Sequence, residues 1–405
     1  MIMQDNEKKP ALRFKGFTDP WEQRKVGDHL IPSKLPGHTG VDARKLTVKL
    51  WGKGVVEKTD SYGGSEHTQY YVRHAGQFMY GKLDFLHAAF GIVPAELDNY
   101  ESTLDSPAFD LSEINGKFLV SRVCKEDFYL KYGTIANGSR KAKRIHEDTF
   151  MDMPILVPEL EEQERVAALL EALDTLITLH QRKYEKLVNI KKSMLDKMFP
   201  KNGASVPEIR FKGFTDPWEQ RKLGEIAVFS KGVGYSKNDL CEEGTPIILY
   251  GRLYTKYETC IFDVDTFVKE KAGGVYSKGG EVIVPASGET AEDISIASVV
   301  VKPGILLGGD LNIVSPTAEY DSAFLALTIS SGATHKYLSS LAQGKSVVHL
   351  HNADIQSVSA KFPTKREQEK IHLLFGKIDT LITLHQRKLE KLQNIKKSCL
   401  EKMFV

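Results

Sequence analysis

The ten residues DTLITLHQRK, from Asp174 to Lys183, occur a second time from Asp379 to Lys388. Apolar residues recur at three- and four-residue steps through both copies and well beyond them, which is the pattern of an amphipathic helix. The pattern predicts one helix over 159–199 and a second from Thr364 to the end of the sequence. At ~1.5 Å per residue, a helix of this size is about 60 Å long.

Helices of this length are typical of a coiled coil, because one small globular domain cannot bury them. The two apolar stripes match, so we expect each helix to pair with the other in antiparallel orientation. Each end of the pair would then carry one of the two segments that lie between the repeats. His180 and His385 fall on these stripes at matching positions of the repeat. A polar residue on such a stripe typically fixes the register of a coiled coil.

A second repeat is the segment RFKGFTDPWEQRK, found identically at Arg13–Lys25 and at Arg210–Lys222. Packing alone tolerates exchange of one apolar residue for another, so identity over thirteen residues indicates a contact that is used twice. We expect its aromatic residues to contact either the end of the coiled coil or an identical partner subunit; recombination between the two gene segments is the alternative. These residues are Phe14, Phe17 and Trp21 in the first copy, and Phe211, Phe214 and Trp218 in the second.

Each half of the chain therefore consists of a constant motif, a variable domain and a long helix. The predicted order is the repeated motif (1–25), the first variable domain (26–157), the first long helix (158–200), a linker with the second motif copy (201–222), the second variable domain (223–362) and the second long helix (363–405).

The variable domains combine short strands with short helices. In the second domain, the apolar runs 280–285, 298–302 and 346–351 predict strands, and 323–330 and 335–342 predict short helices. The predicted class is α+β, with two α/β domains held apart by two long antiparallel coiled-coil helices in a pseudo-two-fold internal repeat.

Bulk composition excludes several classes of protein. The 55 Lys and Arg residues nearly balance the 53 Asp and Glu residues, for a net charge of +2. Residues 26–150 of the first variable domain include 16 basic and 16 acidic residues, and residues 223–360 of the second include 10 basic and 16 acidic residues. Neither composition suits a nonspecific nucleic-acid binder. The four scattered cysteines, and the lack of a signal peptide or an apolar membrane span, predict a cytoplasmic protein without membrane contact.

Fragments that resemble catalytic motifs are incomplete. Asp19-Pro20-Trp21 lacks the second proline of the adenine-methyltransferase motif, and no glycine-rich S-adenosylmethionine loop accompanies it. Gly344-Lys345-Ser346 resembles the end of a P-loop, but Ser339 stands where the leading glycine belongs. His349 and His351 have no third metal ligand nearby. We therefore expect no catalytic residue, metal or cofactor in this chain.

Local clusters of basic and aromatic residues are the candidates for DNA contact, because such side chains serve phosphate positioning and base-edge readout. A solvated loop is the alternative for each cluster. In the first variable domain they are Lys49, Trp51 and Lys53; Tyr70, Tyr71, Arg73 and His74; and Ser139, Arg140, Lys141, Lys143 and Arg144. In the second they are Tyr250, Arg252, Tyr254, Lys256 and Tyr257, with Lys231, Lys345 and His349.

The entries into the two long helices carry a family resemblance. Pro158 precedes Glu162-Gln-Glu-Arg165, and Pro363 precedes Glu367-Gln-Glu-Lys370. With the segments Leu223–Gly232 and Leu341–Leu350, these motifs resemble those of the specificity subunit of type I restriction-modification systems.

The resemblance implies that each variable domain is a target-recognition domain for one half of a bipartite, asymmetric site on double-stranded DNA. It also implies two methyltransferase subunits that carry S-adenosylmethionine, and two restriction subunits that use ATP and Mg. The specificity subunit itself is non-catalytic.

Two further hypotheses compete with DNA recognition. A scaffold could join two copies of a partner protein without touching DNA, or the chain could be a self-contained methyltransferase or nuclease. Exchange of the first variable domain distinguishes DNA recognition from the scaffold hypothesis. A recognition subunit would give a changed half of the methylated DNA motif, whereas a scaffold would have no effect on the motif. Under the recognition hypothesis the coiled coil acts as a ruler, and one extra helical turn in one helix should lengthen the spacer of the site.

Overall fold

The computed structural model describes residues 8–40, 42–59, 66–134, 144–201, 203–344 and 346–405. The chain divides into two compact units, one of Met1–Leu179 with Leu389–Val405, and one of His180–Lys388. Both boundaries fall inside the long helices, so each unit holds one motif copy, one variable domain and a part of each long helix.

The first unit is built from short antiparallel strands packed against short helices. The strands are β1 (Glu22–Lys25), β2 (Leu30–Ser33), β3 (Pro36–Thr39), β4 (Leu46–Val48), β5 (Val55–Glu57), β6 (Gln69–Arg73), β7 (Phe78–Tyr80), β8 (Phe90–Ile92), β9 (Tyr100–Ser102), β10 (Ala108–Leu111) and β11 (Pro154–Val157). The helices are α1 (Gly116–Val123), α2 (Glu126–Gly133), α3 (Glu147–Met151) and the long α4 (Leu160–Met198).

Three sheets form the first variable domain, with strand orders β2-β10-β7-β8, β3-β6-β9 and β4-β5. Aromatic side chains fill its core: Phe78 stacks on Phe90 and on Phe150, with ring centroids 6.2 and 5.8 Å apart. Such aromatic pairs contribute beyond the apolar area that they bury, and they hold the sheets at fixed positions behind the exposed loops.

The second unit has a larger mixed domain. Its strands are β12 (Glu219–Lys222), β13 (Ala227–Lys231), β14 (Leu240–Cys241), β15 (Thr245–Ile248), β16 (Cys260–Ile261), β17 (Phe267–Val268), β18 (Glu281–Pro285), β19 (Ser287–Gly288), β20 (Ser298–Val300), β21 (Leu306–Leu307), β22 (Leu311–Pro316), β23 (Val348–His349) and β24 (Ser359–Phe362). The helices are α5 (Leu223–Ile226), α6 (Arg252–Thr255), α7 (Ala291–Ile294), α8 (Ser322–Ile329), α9 (Gly332–Leu341), α10 (Asn352–Ser357) and the long α11 (Lys365–Lys402).

A five-stranded sheet with the order β13-β22-β18-β20-β16 forms the centre of the second domain. A separate four-stranded sheet has the order β14-β17-β15-β21, and residues of both sheets share one core cluster. The predicted strands and short helices are confirmed, although β23 covers only Val348–His349 of the predicted 346–351. The predicted long helices are confirmed within three residues at each end.

The long helices pair in antiparallel orientation inside each unit. In the first unit, Leu170 near the start of α4 is buried in one cluster with Met403, just beyond the end of α11. In the second unit, Met198 at the end of α4 shares a cluster with Phe375 near the start of α11. None of the helices in the described part of the chain combines the length and apolar character of a membrane span.

Candidate nucleic-acid interface and the repeated frame

A buried ion pair ties each copy of the motif to the start of a long helix. Arg13 donates through Nε and Nη2 to both oxygens of Glu162, each at 2.7 Å, and Arg210 binds Glu367 in the same way at 2.8 Å. Each carboxylate is only 1% exposed. Two parallel charge-assisted bonds fix both distance and angle, so each motif is anchored to the first turns of its helix.

The glutamine that follows each glutamate links the helix to the variable domain. Gln163 donates to the carbonyl of Pro158 and accepts from the backbone N–H of Asn115, each at 2.9 Å. Gln368 makes the same bonds to Pro363 and Asp321, at 2.8 and 2.9 Å. Asn115 and Asp321 cap α1 and α8. The two variable domains are thus mounted on the same hydrogen-bonded frame.

These contacts were not among those predicted from the sequence. The signal was available, because Arg13 and Glu162 recur together as Arg210 and Glu367. A charged pair that is repeated in both halves of a duplicated chain is a candidate for direct contact.

The two repeated tryptophans are buried in the core of their own units. Trp21 is 1% exposed and packs edge-on against Phe118 and Phe404, with ring centroids 5.6 and 6.1 Å apart. Trp218, at 3%, packs against Phe199 and Phe324 at 5.9 and 5.6 Å. Of the two contacts predicted for these indoles, the structure shows the one with the ends of the long helices, at Phe404 and Phe199. The alternative, docking of a partner subunit, does not hold for the two tryptophans, because their buried rings cannot reach one.

The other aromatic residues of the motif are half-buried. Phe14 and Phe211 pack against the cores of their units. Phe17 lies under the guanidinium of Arg165 at 5.2 Å, and Phe214 lies under the ammonium of Lys370 at 4.9 Å. Phe17 and Phe214 also line equivalent clefts, each formed by one motif copy and the start of one long helix.

The two helix histidines contact each other. Nδ1 of His180 lies 2.8 Å from Nδ1 of His385. Burial, followed by the charges of His180, Lys183 and Lys388, lowers the pKa of His385. The pairing across the two helices fits a residue pair that holds their register.

The first predicted DNA cluster forms the tip of a β-hairpin. Lys49, Trp51 and Lys53 lie between β4 and β5, where all three side chains are exposed. Trp51 has a positive φ of 62° and is 55% exposed, and it packs edge-on against His87. An aromatic side chain flanked by two lysines at a hairpin tip suits contact with DNA.

The residues of the second cluster, on strand β6 and just after it, differ in their exposure to solvent. Tyr70 and Tyr71 are half-buried, and His74 is exposed beside Asp98. Arg73 is fully buried, donates to Ser102 Oγ and to the carbonyl of Ser33 at 2.7 Å each, and burial lowers its pKa to about 10. The prediction that Arg73 contacts DNA is therefore wrong.

The third cluster is only partly within the described residues. Ser139, Arg140, Lys141 and Lys143 lie outside them, as does Lys345 of the second domain. Arg144 forms an ion pair with Asp105 at 3.1 Å.

A further pair in the first domain was missed. Glu101 is nearly inaccessible and contacts both the backbone N–H and the ring of the exposed His38. These residues lie 63 positions apart, and neither is part of a repeat, so the sequence carries no signal that would join them.

The predicted tyrosine-rich cluster of the second domain also separates. The guanidinium of Arg252 is enclosed by Asp265 at 2.8 Å and Glu258 at 2.7 Å, and its side chain is 7% exposed. Arg252 therefore holds its own loop together, and its predicted role in DNA contact is wrong. Lys256 also pairs with Asp265, and Tyr257 lies beside Lys191 of α4.

Other members of the second set come together near the ribbon β19–β23. His349 pairs with Ser287 in this ribbon, and a Cβ on the next residue, Gly288, would lie 3.9 Å from the ring of Tyr254. The rings of Tyr250 and Tyr254 are 6.3 Å apart. Asn352 donates to the carbonyl of Ser230, beside the exposed Lys231. Lys231, Tyr250, Tyr254 and His349 stay candidate DNA residues of this domain, as do the exposed Lys256 and Tyr257.

Comparison with known proteins shows what this chain is similar to. Residues 215–394 match the model of the type I restriction modification DNA specificity domain. The chain is therefore similar to the specificity subunits of type I restriction-modification systems. This finding agrees with the predicted resemblance, and the matched range spans the second variable domain, the second helix-entry motif and most of α11.

Two curated relatives come from Methanocaldococcus jannaschii. The type I restriction enzyme MjaVIII specificity subunit is 25% identical over 67% of this chain and 65% of its own length. The putative type I restriction enzyme MjaX specificity subunit is 24% identical over 67% of this chain and 63% of its own length. The match thus spans less than two thirds of either relative.

A solved structure shares the fold. The S subunit of a type I restriction-modification system from M. genitalium aligns with a TM-score of 0.57 over 98% of this chain and 99% of its own, at 13% identity.

Proposed function

We propose that this chain is the non-catalytic DNA-recognition subunit of a type I restriction-modification complex. Each variable domain reads one half of a bipartite DNA site, and the paired helices set the spacer between the halves. Methylation with S-adenosylmethionine, and cleavage with ATP and Mg, belong to two methyltransferase and two restriction subunits that assemble around it.

The observation that supports this proposal is the mounting of two different domains on one repeated frame. The Arg–Glu ion pair, the glutamine bonds and the buried tryptophan are the same in both units. The candidate DNA residues lie on different elements in the two domains. In the first they lie at a hairpin tip, and in the second they lie near the β19–β23 ribbon. A constant frame with divergent surfaces suits one activity directed at two different half-sites.

Exchange of the first variable domain tests this function. Strand β1 pairs with β11 from Glu22↔Val157 to Lys25↔Pro154, so replacement of residues 26–153 leaves this ladder in the host chain. The donor domain should keep residues equivalent to Asn115 and Phe118, which contact the frame. We expect methylome sequencing to show one altered half-site and one unchanged half-site.

The matched control is the reciprocal exchange between β12 and β24, which should alter only the other half-site. A scaffold that does not touch DNA would give the same methylated motif in all chimaeras, and that result would refute the recognition function.

The two equivalent clefts are the surfaces that we assign to the two methyltransferase copies. Both are lined by the same motif positions, and Asp19 and Asp216 lie exposed at matching places in them. Arg13 binds the backbone carbonyl of Asp19 rather than its carboxylate. A charge reversal at Asp19 therefore changes the cleft and leaves the ion-pair frame intact.

Charge reversal should remove the partner copies one at a time. We expect Asp19→Lys or Asp216→Lys alone to weaken one docking site at least about tenfold, because a partner surface complementary to the aspartate would then face a lysine of like charge. The double variant should bind neither copy. Native mass spectrometry of the assembled complex measures this stoichiometry, with Asp84→Lys on another exposed loop as the control. Retention of both copies by the double variant would exclude the clefts as docking sites.

A further inference from the structure

The first recognition domain holds an exposed histidine on a buried carboxylate. Glu101 in β9 is 3% exposed, whereas the side chain of His38 in β3 is 66% exposed. One oxygen of Glu101 accepts from the backbone N–H of His38 at 2.7 Å, and the other lies 2.5 Å from Nδ1 of the ring. A single carboxylate thus fixes both the backbone and the ring of His38.

Glycine at position 37 makes this contact possible. A Cβ on Gly37 would lie 2.2 Å from Oε2 of Glu101, which is far inside van der Waals contact, so a larger residue would displace the carboxylate. The strand is also held from its other side, because Gln69 donates from Nε2 to the carbonyl of Gly37 at 2.9 Å.

The neighbouring charges do not replace His38 as the partner of Glu101. Arg44 donates to the hydroxyl of Tyr100 at 2.6 Å, and Lys45 lies over the ring of Tyr70 at 5.6 Å. Asp42 adds a second negative charge near His38. Among the described residues, Glu101 forms no ion pair with a lysine or arginine. His38 in its protonated form is therefore the cation that the described part of the chain offers to this buried carboxylate.

Two consequences follow for the ring. The hydrogen bond to Glu101, and then its charge, raise the pKa of His38 above the ordinary histidine value. Because Nδ1 is occupied by Glu101, the N–H at Nε2 is the donor that remains on this exposed side chain. A donor whose orientation is fixed by a second residue is suited to recognising an acceptor at a defined position.

We propose that His38, positioned by Glu101, donates a hydrogen bond from Nε2 to an acceptor on the DNA half-site bound by the first recognition domain. This inference rests on the proposed function. The acceptor is a base-edge atom or a phosphate oxygen, since both accept from an imidazolium. Tyr70 and Lys45 lie on the same sheet and its adjoining loop and present further groups of the kind that contact DNA.

The pH dependence has a definite sign. The proton that His38 donates is fully present below its raised pKa and is lost as the pH increases through that pKa. DNA affinity should therefore fall as the pH rises through the raised pKa of His38. Glu101→Gln keeps the shape of the buried side chain but removes its charge, so the fall in affinity should move to lower pH.

The experiment measures DNA affinity in the assembled methyltransferase complex as a function of pH, by fluorescence anisotropy with a duplex that contains its own methylated motif. We expect His38→Gln to lower affinity about tenfold at the acidic end and to abolish this pH dependence. Gly37→Ala should reproduce the effect of Glu101→Gln, and thermal unfolding verifies that both variants fold. His146→Gln, an exposed histidine on another element, is the control. Unchanged affinity and pH dependence in His38→Gln would overturn the proposal.

A panel of duplexes identifies the acceptor. Relaxed preference at one base pair indicates a base-edge contact, whereas a uniform loss with a salt slope smaller by about one indicates a phosphate; both results support the proposal. The domain exchange keeps the two hypotheses distinguishable. If the exchange alters the motif and His38→Gln has no effect, only the inference about His38 fails. If the exchange leaves the motif unchanged, the recognition function fails.

Discussion

Replacement of Trp21 or Trp218 by alanine is expected to destabilise the chain by about 3–5 kcal/mol, the usual cost of removing a large buried aromatic side chain. Each indole packs against a phenylalanine of its variable domain and a phenylalanine at the end of a long helix. Its loss therefore loosens three elements at once. Urea unfolding measures the total effect, and hydrogen exchange should place the damage of each variant in its own unit.

The third tryptophan provides the control. Trp51→Ala should change the free energy of unfolding little, because that ring is 55% exposed. Phenylalanine should be tolerated better than alanine at positions 21 and 218. Neither indole N–H has a hydrogen-bond partner among the described residues, so the smaller ring also removes an unpaired buried donor. Loss of methyltransferase binding without loss of stability would instead place these side chains at a partner interface.

Insertion of one helical turn into both long helices is expected to lengthen the DNA spacer and leave both half-sites unchanged. Two repeated ion pairs join the helices: Asp174 with Lys396 in the first unit, and Lys191 with Asp379 in the second, the latter at 2.6 Å. Four residues placed after His180 and four before His385 leave both ion pairs and the His180–His385 contact with their partners. The added length is about 6 Å, or one to two base pairs, and methylome sequencing reads the spacer directly.

The ion pairs revise the expectation that an insertion in one helix is sufficient. A single insertion moves one helix past the other, so that the pairs and the His180–His385 contact cannot all form. We expect this control variant to lose thermal stability, while the double insertion keeps it. Altered half-site sequences in a stable double-insertion variant would rule out the ruler.

The helices and the repeated organisation were predictable because their signals are local or self-evident. Amphipathic periodicity specifies a helix from neighbouring residues alone, and α4 and α11 match the predicted ranges closely. Identical segments likewise show a duplicated unit without any structural information. The contacts of the frame were predictable only in part. The sequence shows that Arg13 and Glu162 recur as Arg210 and Glu367, but only the structure shows that they form ion pairs.

The candidate interface was predicted less well, because residue type does not reveal burial. Arg73 and Arg252 belong to clusters that look suitable for DNA, yet one is enclosed beside serine and backbone acceptors and the other beside two carboxylates. A buried guanidinium that finds internal partners stabilises its own loop and is unavailable to a ligand. Lys49, Trp51 and Lys53 remained together because a hairpin turn is itself local.

The sequence by itself determined that this protein is a duplicated pair of domains on long helices, since periodicity and repetition are properties of the chain. Only the tertiary structure decided which side chains face outward. It buried Trp21 and Trp218 and joined His38 to Glu101 across 63 residues. The reason is physical: burial and long-range pairing depend on how separate strands pack, and that packing is not encoded in any short segment.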